Sequence, residues 1–124
     1  MHNQEMYKNE LILIPKVEQY MEYMLNMLIK LPRTEKYSIG TEYKSSMYEM
    51  LQNILYLNKI ENSKRLYYLN KIDGLLNCQR IYLRIMKANH WIDEKKFNIA
   101  MEKIYEMGKI LGGLLKYYAK DNKK

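Results

Sequence analysis

The residues with the most chemistry to offer are cations. Arg80, Arg84 and Lys87 are spaced i, i+4, i+7, which places them within roughly 60° of one another on a helical wheel. Asp73 and Asn77 continue that polar stripe toward the N-terminus. Lys95, Lys96 and Lys103 follow at the start of the next helical stretch, and Arg33 and Lys36 stand in a separate connection. A guanidinium is a planar fork of N–H donors that matches phosphate geometry, so arginines kept in a lysine-rich chain point to a polyanion more strongly than lysines do. The chain has four arginines, and three belong to these groups. Tyr37, beside Lys36, is the aromatic best placed to stack on a base. The other tyrosines, such as Tyr20, Tyr43 and Tyr118, keep the spacing of a helical core. The candidate nucleic-acid-binding set is therefore Arg33, Lys36, Arg80, Arg84, Lys87, Lys95, Lys96 and Lys103. The competing reading of the same charges is a solvated face with modest ion pairing.

Other constellations carry less. Arg84 and His90 match the loose Arg-x4–6-His spacing of HEPN-type ribonucleases, where the imidazole moves a proton and the guanidinium holds phosphate. Here Ile85 follows the arginine where that family has a polar residue. A di-metal site in a helical bundle needs Glu-x-x-His motifs, and Lys87 stands three before His90. No Cys-x-x-Cys, His-Glu-x-x-His or glycine-rich phosphate loop is present. Cys78 is the single cysteine, so no internal disulfide and no cysteine metal cluster is expected. Neither a catalytic residue nor a cofactor is assigned.

Net charge is +7 over 124 residues. Residues 1–32 sum to −1, 33–60 to +1, 61–90 to +4 and 91–124 to +3, the asymmetry expected of a localised polyanion face. A coding sequence rich in A and T also enriches Lys, Tyr, Ile and Asn, so charge alone does not decide. No apolar run approaches the ~20 residues that span a bilayer. The first five residues lack the pattern of a secretory leader. A cytoplasmic location is expected.

Four amphipathic stretches must position these residues. The first runs from about Leu13 to Leu31, with Val17, Tyr20, Met21, Met24, Leu28 and Leu31 at helical spacing and Pro15 in its first turn. Pro32 ends it, and Thr34 or Ser38 can cap the second, which reaches about Lys59 with Ile39, Tyr43, Met47, Met50, Ile54 and Leu57 inward. The third spans about Lys64–Lys87 on Leu69, Ile72, Leu76, Leu83 and Met86, with a second apolar strip of Tyr67, Cys78, Ile81 and Ile85. Asp93 caps the fourth, which runs to about Ala119 on Phe97, Ala100, Ile104, Met107, Leu111, Leu114 and Tyr118. Gly108 and Gly112 share a face of it and permit close helix approach. Short connections make neighbours antiparallel, and the expected fold is all-α: an up-down-up-down four-helix bundle over residues 1–124, with 1–11 a flexible arm or a ragged helix start and 120–124 a frayed tail. The first helix has more apolar face than a monomeric four-helix core needs, and the two apolar faces of the third point to either a central position or a subunit contact.

Two segments carry a family resemblance. Leu31-Pro32-Arg33-Thr34-Glu35-Lys36-Tyr37-Ser38-Ile39-Gly40 resembles the FP+xx+(Y/F)xLG signature between the first two helices of small bacterial bundles. Met107-Gly108-Lys109-Ile110-Leu111-Gly112-Gly113-Leu114-Leu115-Lys116 is similar to a GrmLGGWlK ending. Leu31 replaces Phe, and Leu114 stands where Trp is common. Together the segments resemble the accessory variability determinant (Avd) proteins of diversity-generating retroelements, relatives of the ribosomal-RNA intervening-sequence proteins. The resemblance implies a non-enzymatic protein that forms a pentameric barrel of four-helix bundles. It also implies binding of a reverse transcriptase and its template RNA or cDNA in support of mutagenic retrohoming. The basic positions it would use are Arg80, Arg84 and Lys87, with Arg33 and Lys36 in the signature loop. The alternatives are a HEPN-like ribonuclease and a bundle that serves as a protein–protein scaffold.

Overall fold

Apolar residues at three- and four-residue spacing decide the architecture. A computed structural model describes residues 4–122, with side chains over 11–120. It has four long helices and one short turn of helix: α1 (Gln4–Leu28), α2 (Arg33–Lys36), α3 (Ile39–Tyr56), α4 (Asn62–Ala88) and α5 (Glu94–Asn122). α1 and α4 each pack on both α3 and α5, so the long helices form a square with α1 diagonal to α4. Every neighbouring pair is antiparallel. Lys16 pairs with Glu106 across α1 and α5, Ser46 bonds Leu75 across α3 and α4, and Arg65 bonds Tyr118 across α4 and α5. The described residues therefore form an all-helical, up-down-up-down bundle.

The boundaries differ from the sequence expectation in ways that have local causes. α1 begins at Gln4, so residues 4–11 extend the helix rather than forming an arm, and Pro15 lies inside it on an exposed side. The start of the predicted arm, residues 1–3, lies outside the described residues, as do 123–124 of the predicted tail; 120–122 are still helical. α1 stops at Leu28, four positions before Pro32. The Ser38 hydroxyl does not cap α3; it donates back to the Thr34 carbonyl at 3.0 Å. Pro32, with φ −52° and ψ 145°, precedes the short turn of α2 instead. Gly40 is where α2 meets α3: a Cβ there would sit 3.2 Å from the Glu35 carbonyl oxygen and 3.4 Å from Leu31 Cδ1. The signature loop thus packs through its buried leucine and its glycine, and turns its charges outward.

α4 ends in a Schellman-type turn. The Trp91 N–H reaches the Met86 carbonyl at 2.9 Å and the His90 N–H reaches Lys87 at 3.0 Å. His90 takes the left-handed position, φ 60°, that glycine fills at least cost. Asp93 then caps α5, its Oδ1 accepting the Lys96 N–H at 2.7 Å.

The core follows the predicted stripes, with Leu13, Met27 and Ile92 added. Ile39 and Phe97 sit at its edge, half-buried. One element of it is polar. Gln79 is fully buried; its Oε1 accepts from the Tyr20 hydroxyl at 2.6 Å, and its Nε2 donates to Ser46 Oγ at 3.1 Å. Ser46 passes its own proton to the Leu75 carbonyl. Tyr20 has one proton and gives it to Gln79, so Tyr43 is the donor in the Tyr20–Tyr43 hydrogen bond. Three helices share this chain of bonds, and each member is paired, as buried polar groups must be. The predicted second strip of α4 is different: Tyr67, Ile81 and Ile85 face solvent and Cys78 is half-buried.

Burial pushes both core hydroxyls up from the ordinary tyrosine value. Burial is the leading cause at both, and the Tyr43 neighbour adds to it at Tyr20. Unfolded tyrosine ionises near pH 10. Above that pH the unfolded chain sheds protons the folded chain keeps, so this contribution is intact below about pH 10 and falls as pH rises toward the folded values. A phenolate absorbance titration should show at least two tyrosines, Tyr20 and Tyr43, resisting ionisation until the helices unfold cooperatively. Smooth ionisation of all 13 tyrosines with helix content unchanged would contradict the buried chain.

Candidate nucleic-acid interface

Antiparallel pairing has a direct consequence for the cations. The α1–α3 connection, which contains α2, and the α4–α5 connection lie at the same end of the bundle. Arg33 and Lys36 on α2 therefore share that end with Arg84 and Lys87 at the close of α4 and Lys95 and Lys96 at the start of α5. Arg33, Arg84 and Lys95 are exposed; Lys36, Lys87 and Lys96 are half-buried. Tyr37 is 77% exposed, the most of any large apolar or aromatic side chain in the described residues. Arg80 and Lys103 sit lower, two to three helical turns from this end.

Seven of the eight candidates fall into three groups, and Lys95 stands exposed at the start of α5 outside them. The first runs along the seam between α4 and α5. Arg80 is half-buried there, bonded to Asn77 Oδ1, with its Nη2 only 2.6 Å from where a Cβ on Gly108 would lie. The bare face of Gly108 makes room for that guanidinium. Lys87 stands 4.5 Å over the Phe97 ring and 3.9 Å from Glu94, an exposed and loose ion pair. Arg84 projects into solvent between them. The sequence stripe is thus a graded one: its lower arginine is anchored in the bundle and its upper two cations are within reach of a ligand. Close helix approach at the glycines is not what the fold uses them for. Gly108 receives a side chain, and Cβ atoms at Gly112 or Gly113 would meet nothing within 4 Å.

Lys96 and Lys103 belong to a second group on the opposite side of α5, against α1. Lys103 lies 5.7 Å from the Tyr23 ring centroid. Lys96 joins Met27 of α1, Lys30 in the turn after it and His90–Asp93 of the α4–α5 connection around a cleft of about 430 Å³. A smaller hollow of about 110 Å³ continues from it past Tyr23 and Asn26. Burial, with Asp93 nearby, raises the Tyr23 hydroxyl pKa. Lower on the same seam Lys16 bonds Glu106 at 2.9 Å and holds that carboxyl below its usual range. Arg33 and Lys36 form the third group.

Sequence reasoning missed Lys30, Tyr23 and Trp91. Lys30 follows Met27 by three positions yet falls on the polar side of the first helix by helical-wheel arithmetic; the single tryptophan beside His90 was the available signal. The fourth arginine, Arg65, is buried against Tyr118, 2.9 Å from its hydroxyl, and contributes to the core. Arg84 and His90, the pair with ribonuclease spacing, both lie at the basic end, one on α4 and one in the following turn.

A protein-family profile described as bAvd-like matches residues 11–118. The chain belongs to the bAvd-like family. The match begins in α1 and ends at Tyr118 on α5, so it takes in all four long helices and the signature loop of α2. No curated protein and no solved structure matched. Among the described residues of this bAvd-like chain, no three His, Cys, Asp or Glu gather as a metal site, and no helix is long and apolar enough to cross a membrane.

The contact between Arg80 and Gly108 can be measured. Alanine is better than glycine in a helix interior by about 1 kcal/mol, but at position 108 it must displace the guanidinium. In a double-mutant cycle read by urea unfolding, Gly108→Ala should be near neutral in the native chain. It should stabilise by about 1 kcal/mol in the Arg80→Ala background. Equal effects in both backgrounds would mean the two residues do not touch.

Proposed function

We propose that this chain is a non-catalytic accessory protein of a diversity-generating retroelement. In this reading it holds template RNA or cDNA by phosphate contacts and keeps the reverse transcriptase beside it. Family membership supports the accessory role. The observation that carries the nucleic-acid part is the convergence of Arg33, Lys36, Arg84, Lys87, Lys95 and Lys96 on one end of the bundle. Exposed Lys and Arg on helix faces reach phosphates more readily than base edges, so binding is largely independent of sequence. The protein would act in the cytoplasm, in step with cDNA synthesis.

Self-association belongs to the same reading. Ile29, just past the end of α1, and Tyr67, Ile81 and Ile85 on α4 are large apolar side chains left exposed in the single chain. A pentameric barrel, the arrangement implied by the family resemblance, would cover such faces and repeat the basic end five times. Multiplying the charge raises the field that recruits a polyanion.

Fluorescence anisotropy of labelled RNA across a salt series tests the binding. With about six phosphates bound, affinity should fall roughly a thousandfold from about 50 to about 200 mM salt. An Arg33/Lys36/Arg84/Lys87→Ala variant should bind more weakly and with a shallower slope, by about one unit for each phosphate no longer neutralised. Absence of binding at low salt would defeat the reading, and RNA cleavage abolished by His90→Ala would replace it with a ribonuclease. Sedimentation tests the assembly. A species near five times the 15.1 kDa chain mass is expected, shifting toward monomer in Ile81→Glu; a monomeric native protein would refute the barrel.

A further inference from the structure

The cleft between α1 and the α4–α5 connection is not part of the cation stripe on α4. Its lining combines Lys30 and Lys96 with the indole of Trp91, the imidazole of His90 and the apolar wall of Met27. The smaller hollow adjoins it through Met27, Lys30 and Lys96 and adds Tyr23 and Asn26. Cation and aromatic therefore alternate along the α1/α5 groove: Trp91, then Lys30 and Lys96, then Tyr23 with Lys103 over its ring. Stacking surfaces interleaved with phosphate-reaching cations are the chemistry of single-strand binding.

Two further features fit a ligand. His90 occupies a left-handed position that glycine would fill at less cost, and strain of that kind is kept where the side chain has a use. Either neutral tautomer of an imidazole offers an N–H to a phosphate oxygen. The carboxylate in the cleft, Asp93, already accepts the Lys96 backbone N–H at 2.7 Å. The lysines outnumber it, so the cleft keeps a net positive charge.

We propose that this cleft is a nucleotide subsite for single-stranded nucleic acid. A base stacks on Trp91, its phosphate is held by Lys30, Lys96 and His90, and the next nucleotide follows the groove to Tyr23. The proposal rests on the nucleic-acid reading above and adds to it a stacking site that duplex RNA cannot enter.

Trp91 is the only tryptophan, so its fluorescence reports on the cleft alone, while anisotropy of a labelled strand reports on binding anywhere. The full chain is titrated with an oligouridylate of about eight nucleotides, an abasic strand of equal phosphate count, and a duplex. The oligouridylate should quench Trp91 in step with its anisotropy change; the abasic strand and the duplex should bind with little quenching. A Lys30→Ala variant, which spares the six cations of the phosphate-binding end, should lose severalfold in affinity for the oligouridylate and little for the duplex. His90→Gly should melt at a higher temperature than the native chain yet bind the oligouridylate more weakly, which separates a ligand contact from a folding defect. Oligouridylate binding with Trp91 unchanged, equal quenching by the abasic strand, or unaltered affinity in the Lys30→Ala variant would overturn the subsite and leave the phosphate-binding face standing. No anisotropy change with any of the three would overturn both.

Discussion

Two adjacent residues on α4 set the register of the whole bundle. Gln79 points into the core and bonds Tyr20 of α1 and Ser46 of α3. Arg80, the next residue, turns the other way and lies against Gly108 of α5. Two neighbouring positions on one helix thereby tie it to the other three. An apolar stripe of Leu, Ile and Met can slide by a turn at modest cost, because many such registers still bury the same area. A fully buried amide cannot, because a slip leaves its oxygen and its N–H groups without partners. The polar chain converts a hydrophobic bundle into one with a fixed alignment.

Register matters here because the proposed binding residues come from three elements. Fixing α4 against α5 puts Lys87 over Phe97 and beside Glu94. Fixing α1 against α5 encloses a cleft between Lys30, Lys96 and Trp91. The antiparallel topology then brings the two connections to one end, where loops meet the electrostatic requirement of a polyanion site with the least cost to the core. Like charges gathered there repel one another in the free protein, and in the proposed complex a phosphate backbone would relieve that repulsion. A rigid scaffold that presents cations from turns and helix ends suits a role in which several partners are held together and none is chemically changed.

Much of this was legible in the sequence. The stripe residues Tyr20, Met24, Met47, Leu76, Ile104 and Leu114 are all buried, because helical periodicity reads the apolar side of each helix directly. Gln79 and Arg65 were not legible by residue type. Their spacing gave them away: 65, 69, 72, 76, 79, 83 and 86 form an unbroken three–four repeat, and a polar residue on that repeat is buried. The exposure of Ile81 and Ile85 could not be read, since periodicity identifies an apolar face without saying whether a neighbour in the same chain covers it. The site was half legible. Cations on one helix share a face by arithmetic, but the meeting of Lys30 with Trp91 and Lys96 depends on which connections lie together, and that is a property of the packed bundle. The limits of α1 differ from the periodic pattern at both ends: the chain continues as helix on the N-terminal side of Pro15, and a turn before Pro32 releases the backbone early.

The central claim is that nucleic acid is held at the end of the bundle where the two connections meet. Backbone amide chemical shifts of the labelled protein, followed by NMR during titration with single-stranded RNA, test it residue by residue. The account predicts that the changes concentrate in residues 28–38 and 84–97 and fade along α3 and the lower halves of α4 and α5. Changes centred instead on the opposite end, around Lys59–Lys64 and Lys116–Lys120, or spread evenly over every exposed lysine, would contradict it.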